Sequence, residues 1–373
     1  MFQVGKPVTG LNLIGRENEL KLIKHLLISG QSVAIIAPRR FGKTSLILEL
    51  LEQFKSEQYF TNYIDLFSTP DINEFSKRIT ENVLANNKLD KAFRNFGHQL
   101  GEIISNISFR QEIEDFNFIL QYQEKKSSTD WELLEKSIDF IEDYSIKYKK
   151  HTLTAFDEFG DIQKLDGDEI VKLFRSKIQM QKQTSYLFCG SYESIMDKLF
   201  VSSKSPFYRL TRIINLGYID KELFSQHMKN ELNKHGLADN SDTIKDILNF
   251  TEGHPYYSQL FLQEAIIQAA LENKSEILNQ KNLSERLLLV EKNYLEKTWE
   301  ELSKSREDRL VITSIVKFGD NLYSRLHDKK INVARSLKKL KGRGIILNDV
   351  NGIKLTDPLF NYWIKKNILR IDE

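Results

Sequence analysis

Apolar residues recur at helical spacing over residues 16–29, where Leu20, Ile23, Leu26 and Leu27 share one face and Gly30 supplies a stop. The period then changes. Residues 32–37 form a short continuous apolar run of the kind a buried strand needs, and 44–55 return to helix. Further strands are predicted over 61–66, 153–156, 185–189 and 213–216. Between the second and third, residues 71–148 read as charged amphipathic helix with few breakers. Strands alternating with helices predict an α/β fold: a five-stranded parallel sheet covered on both faces.

After Asp220 the pattern turns helical without convincing strands up to 298, broken at Gly236 and at Gly253-His254-Pro255. From about residue 306 a third pattern begins: a helix over 308–318, a short one over 322–327 and a basic one over 331–341, stopped by Gly342-Arg343-Gly344. Asn351-Gly352 between apolar runs signals a hairpin, and Asp357-Pro358 opens a last helix carrying Phe360 and Trp363. Three helices and a two-stranded wing are the order of a winged helix-turn-helix. The expected organisation is a core over 1–220 with a helical insert at about 71–148, a helical lid over 221–300, and a winged helix over 301–373.

Composition narrows this picture. At 373 residues the chain exceeds one ordinary core. Its 40% hydrophobic and 11% aromatic content describes packed rather than disordered protein. Net charge is only +2, yet residues 301–373 carry 16 Lys/Arg against 9 Asp/Glu, so the basic excess sits at the C-terminal end. A lone cysteine, Cys189, cannot pair internally, which fits a reducing compartment. Residues 1–7 lack the apolar centre of a signal peptide, and no apolar run approaches the roughly 18–20 residues that span a bilayer. The expectation is a cytoplasmic protein with no membrane partner.

The chemistry begins after the first strand, at Ala37-Pro38-Arg39-Arg40-Phe41-Gly42-Lys43-Thr44. Strand, Ala-x-x-x-x-Gly-Lys-Thr and helix together are the context of a P-loop. Residues Pro38 to Ser45 are then the expected phosphate-binding segment. Their main-chain N–H groups curl around the β-phosphate, and the helix N-terminus adds partial positive charge. Gly42 lets the backbone approach, Lys43 reaches the β/γ oxygens, and the Thr44 hydroxyl ligates Mg²⁺. Ala37 stands where the first glycine is usual, and it is small enough for the loop to form.

The partner motif is Leu153-Thr154-Ala155-Phe156-Asp157-Glu158, an apolar strand ending in two carboxylates. Asp157 is expected to hold Mg²⁺ with Thr44, and Glu158 to act as general base on the attacking water, both closing on the loop from the neighbouring strand. That order of acids points to hydrolysis. Asp157-Glu158-Phe159-Gly160 also matches the Asp-x-x-Gly of GTPases, and Asn87-Lys88-Leu89-Asp90 their guanine reader. The reader lies on the wrong side of the acids and in polar helical sequence, so GTP is rejected in favour of ATP.

Several segments together resemble the archaeal-type ATPases of the AAA+/STAND superfamily, the group that includes the NACHT and MalT-like switches. They are Leu13-Ile14-Gly15-Arg16-Glu17, Pro38-Arg39-Arg40, Asp157-Glu158-Phe159, Phe188-Cys189-Gly190-Ser191, Ser205-Pro206-Phe207-Tyr208-Arg209, Gly253-His254-Pro255 and Asp357-Pro358-Leu359-Phe360. The resemblance implies that Ile14, Gly15 and Arg16 lie beside adenine and ribose, and that Pro255 closes over the base from the lid. It puts Gly190 and Ser191 where a polar group senses the γ-phosphate, and makes Arg209 or Arg212 a phosphate partner. Arg39 and Arg40 contact phosphate, a partner or solvent.

On the basic helix, Arg335, Lys338, Lys339 and Lys341 lie opposite an apolar stripe of Ile331, Ala334, Leu337 and Leu340. With Lys354 of the wing they form a surface suited to the DNA backbone. The leading expectation is an ATP-driven molecular switch using ATP and Mg²⁺, with a protein partner or homo-oligomer as its target. The alternatives are a DNA-associated AAA+ ATPase resembling initiators or transposon helpers, and a nucleotide-dependent scaffold with little turnover.

Overall fold

The computed structural model describes residues 4–86, 129–191, 193–237, 241–319, 322–349 and 352–371. Most of the expected insert, with Asn87-Lys88-Leu89-Asp90, lies outside the described residues, as does Asn351. The α/β part runs α1 (Glu17–Ile28), β1 (Val33–Ile36), α2 (Lys43–Ser56), β2 (Phe60–Asp65), α3 (Ile72–Leu84), α4 (Asp130–Tyr148), β3 (Thr152–Asp157), α5 (Gln163–Ile178), β4 (Thr184–Gly190) and β5 (Arg212–Asn215). The strands lie in the order β2-β3-β4-β1-β5, and every neighbouring pair is parallel.

That order corrects one expectation. The acidic strand β3 is not the neighbour of β1, because β4 lies between them and pairs with both. Adjacency in a parallel sheet is set by how the crossover helices pack, which sequence order does not reveal. β4 is buried at all its positions, as an inner strand must be, whereas β2 alternates buried and half-buried and lies at an edge.

The two faces of the sheet follow the period-2 rule. Ala34, Ile36, Phe156, Tyr186 and Phe188 point to one side, where Phe75, Phe140 and Phe174 of α3, α4 and α5 cover them. Val33, Ile35, Ala155, Leu187 and Cys189 point to the other, against Ile23 of α1 and Leu46, Leu50 and Phe54 of α2. Asp157 shares the alternation of Leu153 and Ala155, so its carboxylate leaves the sheet on the side of α2.

The rest of the chain is α6 (Lys221–Lys234), α7 (Ser241–Thr251), α8 (Pro255–Glu272), α9 (Gln280–Val290), α10 (Lys292–Ser303), α11 (Arg306–Phe318), α12 (Leu322–Leu326), α13 (Val333–Gly342), the antiparallel hairpin β6 (Ile346–Asp349) and β7 (Gly352–Leu355), and α14 (Pro358–Trp363). Side-chain caps set several starts: Asp220 on α6, Ser305 on α11, Asn332 on α13 and Asp357 on α14 each accept from backbone N–H groups of the first turn. One apolar cluster runs from Ile219 through Phe261, Leu287, Leu302 and Ile312 to Ile364, with no gap in the packing at residue 300.

Helix α13 buries Val333, Ser336 and Leu340, and Leu337 is half-buried. Ala334, expected on the inner face, is exposed, because the helix starts at Val333 behind its Asn332 cap and turns 334 outward. Lys339 is paired with the buried Asp308 at 2.6 Å, and Lys354 of β7 pairs with Glu252 and covers the Tyr218 ring at 4.5 Å. The helix itself lies against the turn Glu193–Met196 that follows β4. Among the described residues no helix is long and apolar enough to cross a membrane.

Candidate nucleotide site

At the C-terminal edge of the sheet a cleft of about 610 Å³ opens between the loop after β1, the ends of β2 and β3, and the start of α8. In open parallel sheets this edge is where ligands bind. Ile14, Arg16, Arg39, Arg40, Phe41, Gly42, Lys43, Thr44, Ser45, Asp157, Glu158, Ser191 and Pro255 line it. Gly15, Pro38 and Arg209 are not among the lining residues.

The loop shape follows from two left-handed residues, Arg40 at φ 68° and Gly42 at φ 85°. At Gly42 the constraint is conformational, since an added Cβ would meet nothing within 4 Å. Lys43 follows immediately and is only 5% exposed. Its Nζ donates to the carbonyl oxygens of Ala37 (2.8 Å) and Pro38 (2.7 Å), which holds the charge inside the loop. Desolvation lowers its pKa, against the raising influence of Glu158 and Asp157. The Ser45 hydroxyl accepts from Val8 N at 3.0 Å, tying the N-terminal segment across α2, and that segment brings Gly5 to Val8 into the cleft.

Opposite the loop, the Thr44 hydroxyl donates to Asp157 Oδ2 at 2.8 Å. The Tyr63 phenol donates to the same oxygen at 3.0 Å, and the Glu158 N–H donates to Asp157 Oδ1 at 3.0 Å. Burial, followed by the Asp157 charge, pushes the Tyr63 phenol well above its usual value, so it stays a neutral donor. Glu158 sits at φ 47°, and Ser191 holds its carboxylate with both hydroxyl and backbone N–H. Asp65 pairs in register with Asp157 and also lines the cleft; burial raises its carboxyl, and the Asp157 charge adds to that. Oxygen donors of this kind suit a hard divalent cation that keeps waters and phosphate oxygens in its shell. Among the described residues no group of three or more His, Cys, Asp and Glu side chains forms a cage made by protein alone.

The far end of the cleft is apolar: Ile14, Ile219 and Pro255 line it beside Tyr256 and Gln259. Two glycines let its wall close. A Cβ on Gly15 (φ 64°) would stand 2.5 Å from Ile219 Cγ2, and one on Gly253 (φ 75°) 2.2 Å from the Ile219 carbonyl oxygen. Arg16 is 3% exposed and committed to structure, donating to Glu19 Oε1 (2.9 Å), Phe41 O (3.3 Å) and Gly217 O (2.6 Å). His254 is buried, packs edge-on to Phe41 at 4.6 Å, and caps α8 by accepting from the N–H groups of Tyr256 (3.2 Å) and Tyr257 (3.5 Å). Desolvation lowers its pKa to about 3, helped by the Arg40 charge, so the imidazole is neutral.

Arg40 turns toward the helical part. Its guanidinium lies 4.3 Å from the Tyr256 ring centre and 5.2 Å from that of Tyr294, and Nη1 donates to the Tyr257 hydroxyl at 3.2 Å. Tyr257 in turn donates to Asp357, the cap of α14. Arg209 is exposed and stacked by its own neighbour Tyr208, 5.3 Å from the ring centre. Sequence reasoning missed Tyr63, Asp65, Ile219, Gln259 and the N-terminal segment. The alternation of β2 carried a signal for the first two, since Tyr63 and Asp65 share the face of Asp157.

Fold and cleft define a P-loop ATPase with a five-stranded parallel α/β core. The family described as an ATPase domain predominantly from Archaea matches residues 13–261, and the chain belongs to it. Among solved structures, a Walker-type ATPase of Pyrococcus abyssi superposes with a TM-score of 0.70 at 20% identity, covering 98% of this chain and 100% of that one. The ORC1 protein of Aeropyrum pernix in complex with DNA gives 0.52 at 12% identity, covering 96% and 93%. The ORC2 protein of the same organism, in ADPNP-ADP complexes, gives 0.55 at 12%, covering 99% and 97%. No curated protein matches the chain.

Proposed function

We propose that the chain is a Mg²⁺-dependent molecular switch that binds ATP in this cleft and changes the relation of its core to the helical and C-terminal parts on hydrolysis. The observation that carries the reading is the 2.8 Å contact of Thr44 with Asp157, beside Glu158 and across from Lys43 in one cleft. The main-chain N–H groups over Pro38 to Ser45 cradle the phosphates, and Lys43 moves from its two carbonyl partners to the β/γ oxygens. Thr44 and Asp157 would hold Mg²⁺, which would supply charge neutralisation to the phosphate. Glu158 takes the proton of the attacking water; the water oxygen bonds to the γ-phosphorus, the bond to the β–γ bridging oxygen breaks, and ADP leaves. Ser191 orients Glu158, and Ile14 and Pro255 bound the adenine with Ile219. Gly15 acts behind that wall by letting it close, and Arg16, itself in the cleft lining, holds it in place through Phe41 and Gly217. Arg209 is left without a role at the phosphate unless a second copy of the chain presents it.

The test is Glu158→Gln. ATP binding is retained, and turnover falls by roughly 10²–10⁴-fold, the range a positioned base supplies. Turnover within a few-fold of the unaltered chain sinks the assignment.

A second reading adds DNA as partner through Arg335, Lys338, Lys339 and Lys341 on the helix of a winged-helix unit over 301–373. Their exposure on α13, and the likeness in fold to a protein solved with DNA, favour it. Contact of α13 with the turn after β4 would have to yield for that surface to reach a groove.

A further inference from the structure

We infer that Tyr63, on the edge strand β2, is a positioning residue for ATP hydrolysis: it holds the Asp157 carboxylate in place for the divalent cation. The sheet registers Tyr63 with Ala155, so Tyr63 and Asp157 lie diagonally on one face, two residues apart across the β2–β3 pair. The small side chain of Ala155 leaves the phenol room to pass over it. The hydroxyl then ends 3.0 Å from Asp157 Oδ2, and the ring forms part of the cleft wall.

The distribution of donors makes Tyr63 more than packing. Oδ1 is held by the Glu158 N–H, and Oδ2 by two hydroxyls, Thr44 and Tyr63. Under the proposed function the Thr44 hydroxyl would offer an oxygen lone pair to the cation while its hydrogen stays directed at Asp157 Oδ2. Tyr63 is the donor on Oδ2 that comes from the sheet rather than from the loop, and it has no share in holding the cation. Each donor adds to the restraint on rotation of the carboxylate about χ2, and losing the phenol leaves Oδ2 to the Thr44 hydroxyl of the loop. Partners of this kind, one step removed from the metal, typically alter affinity by about 10–100-fold when removed.

The inference rests on Asp157 and Thr44 being the cation's protein ligands, and the experiment separates the two ideas. Mn²⁺ binding to the full chain with ADP is measured by electron paramagnetic resonance, with ADP binding in excess chelator recorded in parallel. Tyr63→Phe, which keeps the ring and removes the hydroxyl, weakens Mn²⁺ about ten-fold and lowers kcat, while chelator-condition ADP binding and melting temperature stay put. Tyr63→Leu behaves like Tyr63→Phe in Mn²⁺ affinity. An unchanged Mn²⁺ affinity in Tyr63→Phe while Asp157→Asn abolishes binding overturns the role of Tyr63 alone. Unchanged binding in Asp157→Asn overturns the cation site and this inference with it. If only Tyr63→Leu is impaired, the ring's packing matters and the hydroxyl does not, which also refutes the inference.

Discussion

Replacing Arg40 tests whether this loop arginine serves phosphate or ties the loop to the rest of the chain. In the structure its guanidinium engages Tyr256, Tyr294 and Tyr257, and Tyr257 passes the connection to Asp357 at the cap of α14. The side chain is exposed, so low-end values apply. Two cation–π contacts at about 0.5 kcal/mol each and one hydrogen bond from a charged donor at about 1 kcal/mol give a loss of about 2 kcal/mol for Arg40→Ala. If that loss is spent on local opening of the seam, amide exchange at the start of α8 and of α14 speeds up roughly 30-fold, by the equivalence of about 1.4 kcal/mol to each factor of ten. The left-handed φ of 68° burdens Arg and Ala alike, so backbone strain does not confuse the comparison. Arg40→Lys keeps the charge but loses the planar fork, and it should recover part of the protection. The assay is hydrogen exchange on the nucleotide-free chain, read by peptide. Exchange within two-fold of the unaltered chain at residues 255–260 and 357–363, together with a ten-fold loss of ATP affinity, would refute the tie and return Arg40 to the phosphate.

Two further outcomes concern His254 and the basic helix α13. His254 is neutral in the fold with a pKa of about 3, below its unfolded value near 6.5, so the unfolded chain binds the extra proton first. Stability is therefore fully present above pH 6.5 and declines by up to about 1.4 kcal/mol per pH unit below it. Melting curves between pH 7.5 and 5 should show this slope, and His254→Asn, which can still cap α8, should flatten it; an equal slope in both refutes the assignment. On α13, Lys338→Glu should weaken binding to a random duplex and reduce its salt dependence. Duplex affinity unchanged by that substitution at low salt removes DNA from the reading of this surface.

Local signals decided much of this protein. The continuous apolar runs of β1, β3 and β4, the glycine at 42 in the phosphate loop, the Lys-Thr pair that opens α2 and the two acids that end β3 are all readable without coordinates, because each depends on near neighbours in the chain. That Gly42 serves through its left-handed φ is seen only in the structure. Readable too are the opening of the last helix at Asp357-Pro358 and the break at Gly253-His254-Pro255. Strand order was not readable. The placing of β4 between β1 and β3 depends on how α3, α4 and α5 pack over one face, and no residue pair close in sequence encodes it. The same holds for contacts that join distant segments: Tyr63 with Asp157, Ser191 with Glu158, Ile219 between Gly15 and Gly253, and Arg40 with the tyrosines of α8 and α10. Pattern along a chain shows which way a side chain faces within its own element. Which distant side chain it meets is settled only when the sheet has closed and the helical part has packed against its edge.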